Sequence, residues 1–143
     1  MKLNHTKGFT VLELLLAILI AGGIAAIGYS KIEKEKQTTR NKEREGDVRV
    51  IQQGLESFYA KNGSYPKKSD LSNQEWRTAN FATVEQESLA DPNGPQINEA
   101  GGYSYEPTAD GSTDCLAPET KCAKYVLSAE LEKKPKLELK SYY

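Results

Sequence analysis

The sequence predicts an α+β fold in which a long amino-terminal helix packs on a small antiparallel β-sheet. The first observation is a nearly uninterrupted apolar run, Phe9–Tyr29, whose only charged residue is Glu13. The second is an apolar stripe farther along the chain, spaced so that it lies on one face of a helix. The stripe consists of Val48, Ile51, Leu55 and Phe58. The third is a series of short alternating segments near the end of the chain, as expected for strands.

The apolar run is long enough to cross a membrane as a helix of roughly 31 Å. A cleaved secretory signal is the alternative, because Lys2 and Lys7 form a short basic region before the run. Glu13 argues against that alternative, since a charge inside a membrane helix costs about 2.5–3.5 kcal/mol and usually has a partner or a task. More basic residues follow the run than precede it, so the charge rule alone would place the carboxyl-terminal side in the cytoplasm.

The helix is predicted to continue through the charged stretch Ser30–Gly46 and the apolar stripe. Asn62 and Gly63 form a natural helix end. The charged stretch has good helix formers but no apolar stripe, so we expect it to be solvated or covered by other chains. A single helix from Phe9 to Lys61 would be roughly 80 Å long, and its first half would have to be buried in a membrane or in other subunits.

Three strands and one short helix are predicted after Gly63. The strands are Gly102–Pro107, Tyr125–Leu131 and a last one around Leu137 and Leu139, and their apolar faces would cover the stripe. The short helix is expected near Leu71–Trp76, within a long connector.

The two cysteines, Cys115 and Cys122, lie close together in the polar part of the chain. Two thiols cannot form a closed four-ligand zinc site. A disulfide in an exported domain is the favoured interpretation, and two free cytosolic thiols are the alternative.

The segment KGFTVLELLLAILIAGG resembles the amino-terminal signature of type IV prepilins and pseudopilins. The matching features are Lys7 and Gly8 before a cleavage point, Phe9 as the new first residue, Glu13 four residues later, and the apolar run that follows. LESFYAKNGSYP, from Leu55, is similar to the end of the long pilin helix. The late cysteine pair and the YVLSAELE strand are similar to pilin carboxyl-terminal regions more loosely.

This resemblance implies that a prepilin peptidase removes residues 1–8 after Gly8 and methylates the amine of Phe9. Residues 9–29 would then form a transmembrane and filament-core helix, residues 30–62 its second half, and residues 63–143 a globular β-domain with a connecting loop and a disulfide loop. In a filament, the amine of Phe9 would pair with Glu13 of a neighbouring subunit. The alternative for Glu13 is an acid that reaches the membrane edge.

Three glycines, Gly22, Gly23 and Gly28, interrupt the apolar run. In filaments of the pilin family the helix often unwinds in this zone, although Ser30 stands where many members have Pro. The alternative is that the glycines allow close packing between helices.

The expected function is therefore structural: a subunit that polymerises through its amino-terminal helix into a surface filament for adhesion, twitching motility or DNA uptake. Its partners would be identical subunits, the prepilin peptidase and assembly machinery, and the cytoplasmic membrane before assembly. The alternatives are a major pseudopilin of type II secretion and a monomeric membrane-anchored binding domain. The segment from Asp91 to Gly94 resembles the pseudopilin DPWG-type stretch, but lacks its Trp.

Catalysis, cofactors, metals and nucleic acid are not expected. The only histidine, His5, lies in the segment predicted to be removed, which leaves no imidazole for a triad or a metal. Glu106, Asp110 and Asp114 have oxygens suited to calcium, but turn chemistry around Gly111 explains them better. The chain has 19 basic and 20 acidic residues, a balance that gives no reason to expect nucleic-acid binding.

Overall fold

The computed structural model describes residues 8–110, 114–117 and 119–143, without the side chains of residues 25–28 and 30. The chain divides into two compact units, Met1–Thr38 and Thr39–Tyr143. It combines one long helix and short helices with a three-stranded antiparallel sheet, so the α+β class is confirmed. Residues 1–7 of the predicted leader 1–8, including Lys2, His5 and Lys7, lie outside the described residues.

The long helix α1 runs from Val11 to Asn62 and contributes to both units. It ends where the sequence predicts: Gly63 adopts a φ of 66°, and its N–H donates to the carbonyl of Tyr59 at 2.7 Å. Glycine accepts this left-handed conformation without a Cβ clash, and the bond satisfies one of the last carbonyls of the helix. Within the described parts of the chain, none of the helices combines the length with the apolar character that a membrane crossing requires.

The sheet has the strands β1 (Ser104–Thr108), β2 (Lys124–Ala129) and β3 (Leu137–Lys140), in the order β1-β2-β3. In its central register Tyr105 faces Leu127, which in turn faces Leu139. The three predicted strands are therefore confirmed, with small differences in their bounds. β1 begins at Ser104, two residues after the predicted start at Gly102. β2 stops at Ala129, so Leu131 lies in the connection to β3 and is only partly buried.

The core of the second unit joins the helical stripe to the inner face of the sheet. Val48, Ile51 and Leu55 are fully buried in one cluster with Tyr105 and Leu127. Phe58 is partly buried against the same cluster, and its ring lies 5.5 Å from that of Trp76. The prediction that the sheet covers the stripe is thus confirmed, because the apolar face of the helix needs this cover in water.

Polar contacts also join α1 to the sheet. Glu56 accepts hydrogen bonds from the hydroxyls of Tyr65 (2.8 Å) and Tyr125 (2.7 Å). Gln52, which is buried, donates to the carbonyl of Lys140 at 2.9 Å. A single helical face therefore contacts both the central strand and the last strand.

The connector between α1 and β1 contains two short helices where one was predicted. These are α2 (Lys68–Ser72) and α3 (Gln74–Asn80), and a 3-10 turn follows at Gln86–Leu89. Asn73 separates the two helices, because its side chain accepts a hydrogen bond from the N–H of Trp76 at 3.1 Å and so caps α3.

Candidate assembly surface and its supporting contacts

The first unit exposes apolar side chains around the start of α1. Ten large apolar residues between Phe9 and Ile24 are each 56–80% exposed. They are Phe9, Val11, Leu12, Leu14, Leu15, Leu16, Ile18, Leu19, Ile20 and Ile24. A helix that is apolar on all sides is stable only when lipid or protein surrounds it, since each Å² of exposed apolar surface costs about 25 cal/mol in water. This surface is therefore suited to burial against other apolar material.

Thr10 caps α1 beside Glu13. The N–H of Glu13 donates to the hydroxyl of Thr10 at 3.2 Å, and the N–H of Leu14 donates to the carbonyl of Thr10 at 3.1 Å. Glu13 lies in the first turn with its side chain exposed, where the helix dipole favours a negative charge. The sequence analysis missed the role of Thr10, although Thr-x-x-Glu is the pattern of a capping box.

The glycines of this unit have open surroundings. A Cβ placed on Gly8, Gly22 or Gly23 would meet no heavy atom within 4 Å. α1 is helical through Gly22, Gly23 and Gly28, and the surroundings of Gly28 lie outside the described residues. Among the described residues, nothing packs closely against Gly8, Gly22 or Gly23. Unwinding and close packing between helices both stay predictions.

Cys115 and Cys122 form a disulfide with a Cα–Cα distance of 5.3 Å, as predicted. Both cysteines are buried in the core of the second unit. The bridged loop is bonded to the segment that follows α1: the N–H of Tyr65 donates to the carbonyl of Cys122 at 2.8 Å, and Lys67 Nζ donates to the carbonyl of Ala117 at 2.6 Å. The disulfide therefore closes the loop, and these two hydrogen bonds hold the closed loop to the segment after α1.

Arg44 of α1 forms a buried ion pair within the chain, whereas the stretch up to Gly46 was predicted to be solvated or covered by other chains. Arg44 is 3% exposed and binds Asp91 through two hydrogen bonds, Nε to Oδ2 at 2.6 Å and Nη2 to Oδ1 at 3.0 Å. The hydrogen bonds that Arg44 donates to Asp91 raise the pKa of Arg44, against the opposing effect of burial. Burial opposes ionisation of Asp91, but the bonds from Arg44 and from the N–H of Asn93 outweigh it and lower the pKa of Asp91.

Glu132 extends this network at the turn between β2 and β3. Its carboxylate accepts from Arg40 at 2.6 and 2.8 Å and from Arg44 at 3.1 Å. The Arg40 hydrogen bond is the main cause that lowers the pKa of Glu132 to about 2. The side chain of Asn41 bonds both backbone groups of Glu132, accepting from its N–H at 2.9 Å and donating to its carbonyl at 3.0 Å.

The periodicity of α1 contained a signal for this network. Arg44 lies four residues before Val48, and Asn41 lies three residues before Arg44. Both residues therefore continue the apolar stripe along the same face of the helix. Because they are polar, the stretch that contains them was predicted to be solvated or covered by other chains. Burial of such residues requires partners, and the partners lie far away in the sequence at Asp91 and Glu132.

The carboxylates weighed for calcium are placed as follows. Glu106 pairs with Lys68 at 2.6 Å, and Asp114 forms an isolated bridge with Thr108. Gly111, the centre of the predicted turn, lies outside the described residues. Among the residues that are described, no group of three or more His, Cys, Asp or Glu is arranged to hold a metal ion.

No family model, curated protein or solved structure matches this chain.

Proposed function

We propose that this chain is a structural subunit of a type IV pilus-like filament and that it polymerises through its amino-terminal helix. The observation that carries the proposal is the exposed apolar surface of the first unit. Large apolar side chains surround the helix from Phe9 to Ile24, directly after the Lys7-Gly8 pair that resembles a prepilin cleavage motif. The second unit buries its own stripe, whereas the ten large apolar side chains of the first unit stay exposed and need cover by lipid or by other subunits.

Glu13 would set the axial position of each subunit. Cleavage after Gly8 would create a positive amine on Phe9, and this amine would be dehydrated together with Glu13 when apolar helices pack around them. An unpaired charge in that environment is costly, so a register that brings an amine to a carboxylate is favoured over the others. The exposed position of Glu13 in the first turn supports this role, because its carboxylate is available to a neighbouring chain.

Before assembly, the same apolar segment would hold the precursor in the cytoplasmic membrane, where the prepilin peptidase acts. After assembly, the second unit would face the exterior of the cell on the filament surface. The disulfide between Cys115 and Cys122 supports export, because such bonds persist in oxidising compartments.

Processing is tested at the glycine before the cut. Gly8→Leu should block cleavage and leave a precursor in the membrane fraction, because the peptidase must close on the scissile bond. Gly8→Ala is the matched control, and its smaller side chain should allow more cleavage than Leu. Mass spectrometry of the amino terminus measures both. Trimming of the Leu variant to Phe9 at the normal rate would refute the leader assignment.

Assembly is tested at the acid. Glu13→Ala should preserve or improve membrane insertion, since it removes a charge from lipid, but it should reduce the yield of filaments in sheared surface fractions. Glu13→Asp is the matched control: it shortens the same side chain but keeps the charge, so it should retain more assembly than Glu13→Ala. Electron microscopy scores the filaments. Ordered filaments at the normal yield from Glu13→Ala would refute the register role.

A further inference from the structure

The second unit buries two arginines with opposite surroundings. Arg44 and Arg77 are 3% and 4% exposed. Arg44 forms ion pairs with Asp91 and Glu132, so its positive charge is neutralised by carboxylates in contact with it. Arg77 forms no recorded ion pair with any residue in the described ranges, and the nearest negative influence is the through-space attraction of Glu99. A buried cation with no anion in contact is costly, so this side chain calls for a further explanation.

The hydrogen bonds of Arg77 all go to uncharged oxygens. Nε donates to Gln86 Oε1 at 3.0 Å, Nη1 to the carbonyl of Leu71 at 2.8 Å, and Nη2 to Gln96 Oε1 at 3.2 Å. A guanidinium has five N–H groups, so these three bonds leave two for another acceptor. The two glutamines turn their oxygens toward Arg77 and consequently direct their own NH₂ donors elsewhere.

Arg77 lines an open cavity of about 340 Å³ between α3 and the 3-10 turn. The cavity, called the Arg77 cavity below, is lined by Gln74, Arg77, Gln86, Glu87, Ala90 and Gln96. Its volume is within the range of small-molecule sites. Three side-chain amides give it a polar wall that can bond hydroxyl groups as donor or acceptor.

We propose that the Arg77 cavity binds a small polar monocarboxylate, with Arg77 holding the carboxylate and the glutamines holding the hydroxyl groups of the remainder. A planar carboxylate fits the fork of a guanidinium and supplies the missing negative charge. Glu87 is exposed on the cavity wall and repels a second negative charge, so a dianion such as phosphate is disfavoured. The site does not depend on filament assembly.

The electrostatics of the two arginines agree with this assignment. Burial lowers the pKa of Arg77, with only partial compensation by Glu99. The pKa of Arg44 is raised instead, because Asp91 is in contact with it. An anion bound in the Arg77 cavity would raise the pKa of Arg77, as Asp91 raises the pKa of Arg44.

The test uses the full-length chain in uncharged detergent micelles, with ¹⁵N labelling. The Nε–Hε signals of buried arginines report contact with an anion, so Arg77 is the probe and Arg44 is the internal control. Glucuronate is titrated against glucose, which has the same ring but no carboxylate. We expect saturable movement of the Arg77 signal with glucuronate, while the Arg44 signal stays in place. No movement, or equal movement with glucose, would overturn the proposal.

Variants make the test independent of one substitution. Arg77→Lys keeps the charge but loses the fork, and should weaken glucuronate binding about tenfold or more. Glu87→Gln removes an exposed acid from the cavity wall and should strengthen binding by up to about fivefold. Glu75→Gln removes an exposed acid that lies in α3, as Arg77 does, but outside the cavity. This variant should leave the affinity for glucuronate unchanged. Backbone amide signals around the cavity measure these affinities. The Glu87 and Glu75 variants keep the test valid if Arg77→Lys fails to fold, and equal effects of these two variants would contradict the site.

Discussion

Removal of the negative charge beside Arg44 should destabilise the second unit strongly. Asp91→Asn preserves the shape of the side chain, and its Oδ1 can still accept from the N–H of Asn93, now at 2.9 Å. The substitution removes the charge, and it also replaces Oδ2, the acceptor of the Arg44 Nε–H bond, by an amide NH₂ that can only donate. Loss of one partner from a buried ion pair costs about 3–5 kcal/mol, because the other charge stays buried. Glu132 still lies 3.1 Å from Arg44, so we expect a loss near the lower end, about 3 kcal/mol.

An exposed pair of the same length provides the comparison. Lys68 and Glu106 are 2.6 Å apart, the same shortest distance as Arg44 and Asp91. Their side chains are 39% and 53% exposed, whereas those of Arg44 and Asp91 are 4% exposed. Glu106→Gln should therefore cost less than about 1 kcal/mol. Burial, not distance, separates the two predicted values.

Urea unfolding of the full-length chain in uncharged detergent at neutral pH measures both variants. Trp76 is the only tryptophan and lies in the second unit, so its fluorescence follows that unit alone. The free energy of unfolding of each variant is compared with that of the unmodified chain, provided that its slope against urea concentration is the same. A loss below about 1 kcal/mol for Asp91→Asn, or equal losses for the two variants, would refute the view that Asp91 neutralises a buried cation.

Three further substitutions test the packing, the acid response and the disulfide. Gly54→Ala should destabilise by about 1–2 kcal/mol in the same urea assay despite the better helix propensity of Ala, because the new Cβ would overlap Val84 and lie 2.9 Å from Phe81 Cζ; an increase in stability would contradict this. The pKa of Glu132 falls from 4.5 to about 2 on folding, so its stabilising effect is present above about pH 4.5 and is lost as the pH falls toward 2. Glu132→Gln should accordingly flatten the loss of unfolding free energy on acidification, and an unchanged pH profile would count against the network. Joint replacement of Cys115 and Cys122 by Ser should lower the melting temperature through a loss of about 2.5 kcal/mol, with filament architecture unchanged wherever the subunit folds. Thiols that react with an alkylating agent in native protein before reduction would contradict the bridge.

The elements with regular periodicity could be predicted from the sequence. The stripe of Val48, Ile51 and Leu55 has the helical period, and the residues around Tyr105 and Leu127 alternate as a strand does. Both signals are local, so their burial followed from the pattern alone. The break at Asn73 was missed because a capping side chain changes the chain direction without altering the apolar pattern.

The polar interior could not be predicted in the same way. Arg44 and Arg77 look like surface residues in a composition argument, since charged side chains are seldom fully buried without a partner. The partner of Arg44 lies 47 residues away, and the acceptors of Arg77 are scattered over the connector. These contacts depend on the three-dimensional path of the connector, which short turns determine.

The contacts between α1 and the last strand also set the order in which the second unit can fold. Arg40 bonds Glu132 across 92 residues, and Gln52 bonds Lys140 across 88. At a synthesis rate of about 5–20 residues per second, the helix would precede these partners by about 4–18 s. During that interval Asp91 becomes available to Arg44 and β1 to the stripe, but Arg40 and Gln52 still lack these two partners. The complete set of contacts on this helical face therefore forms only after β3 has been synthesised.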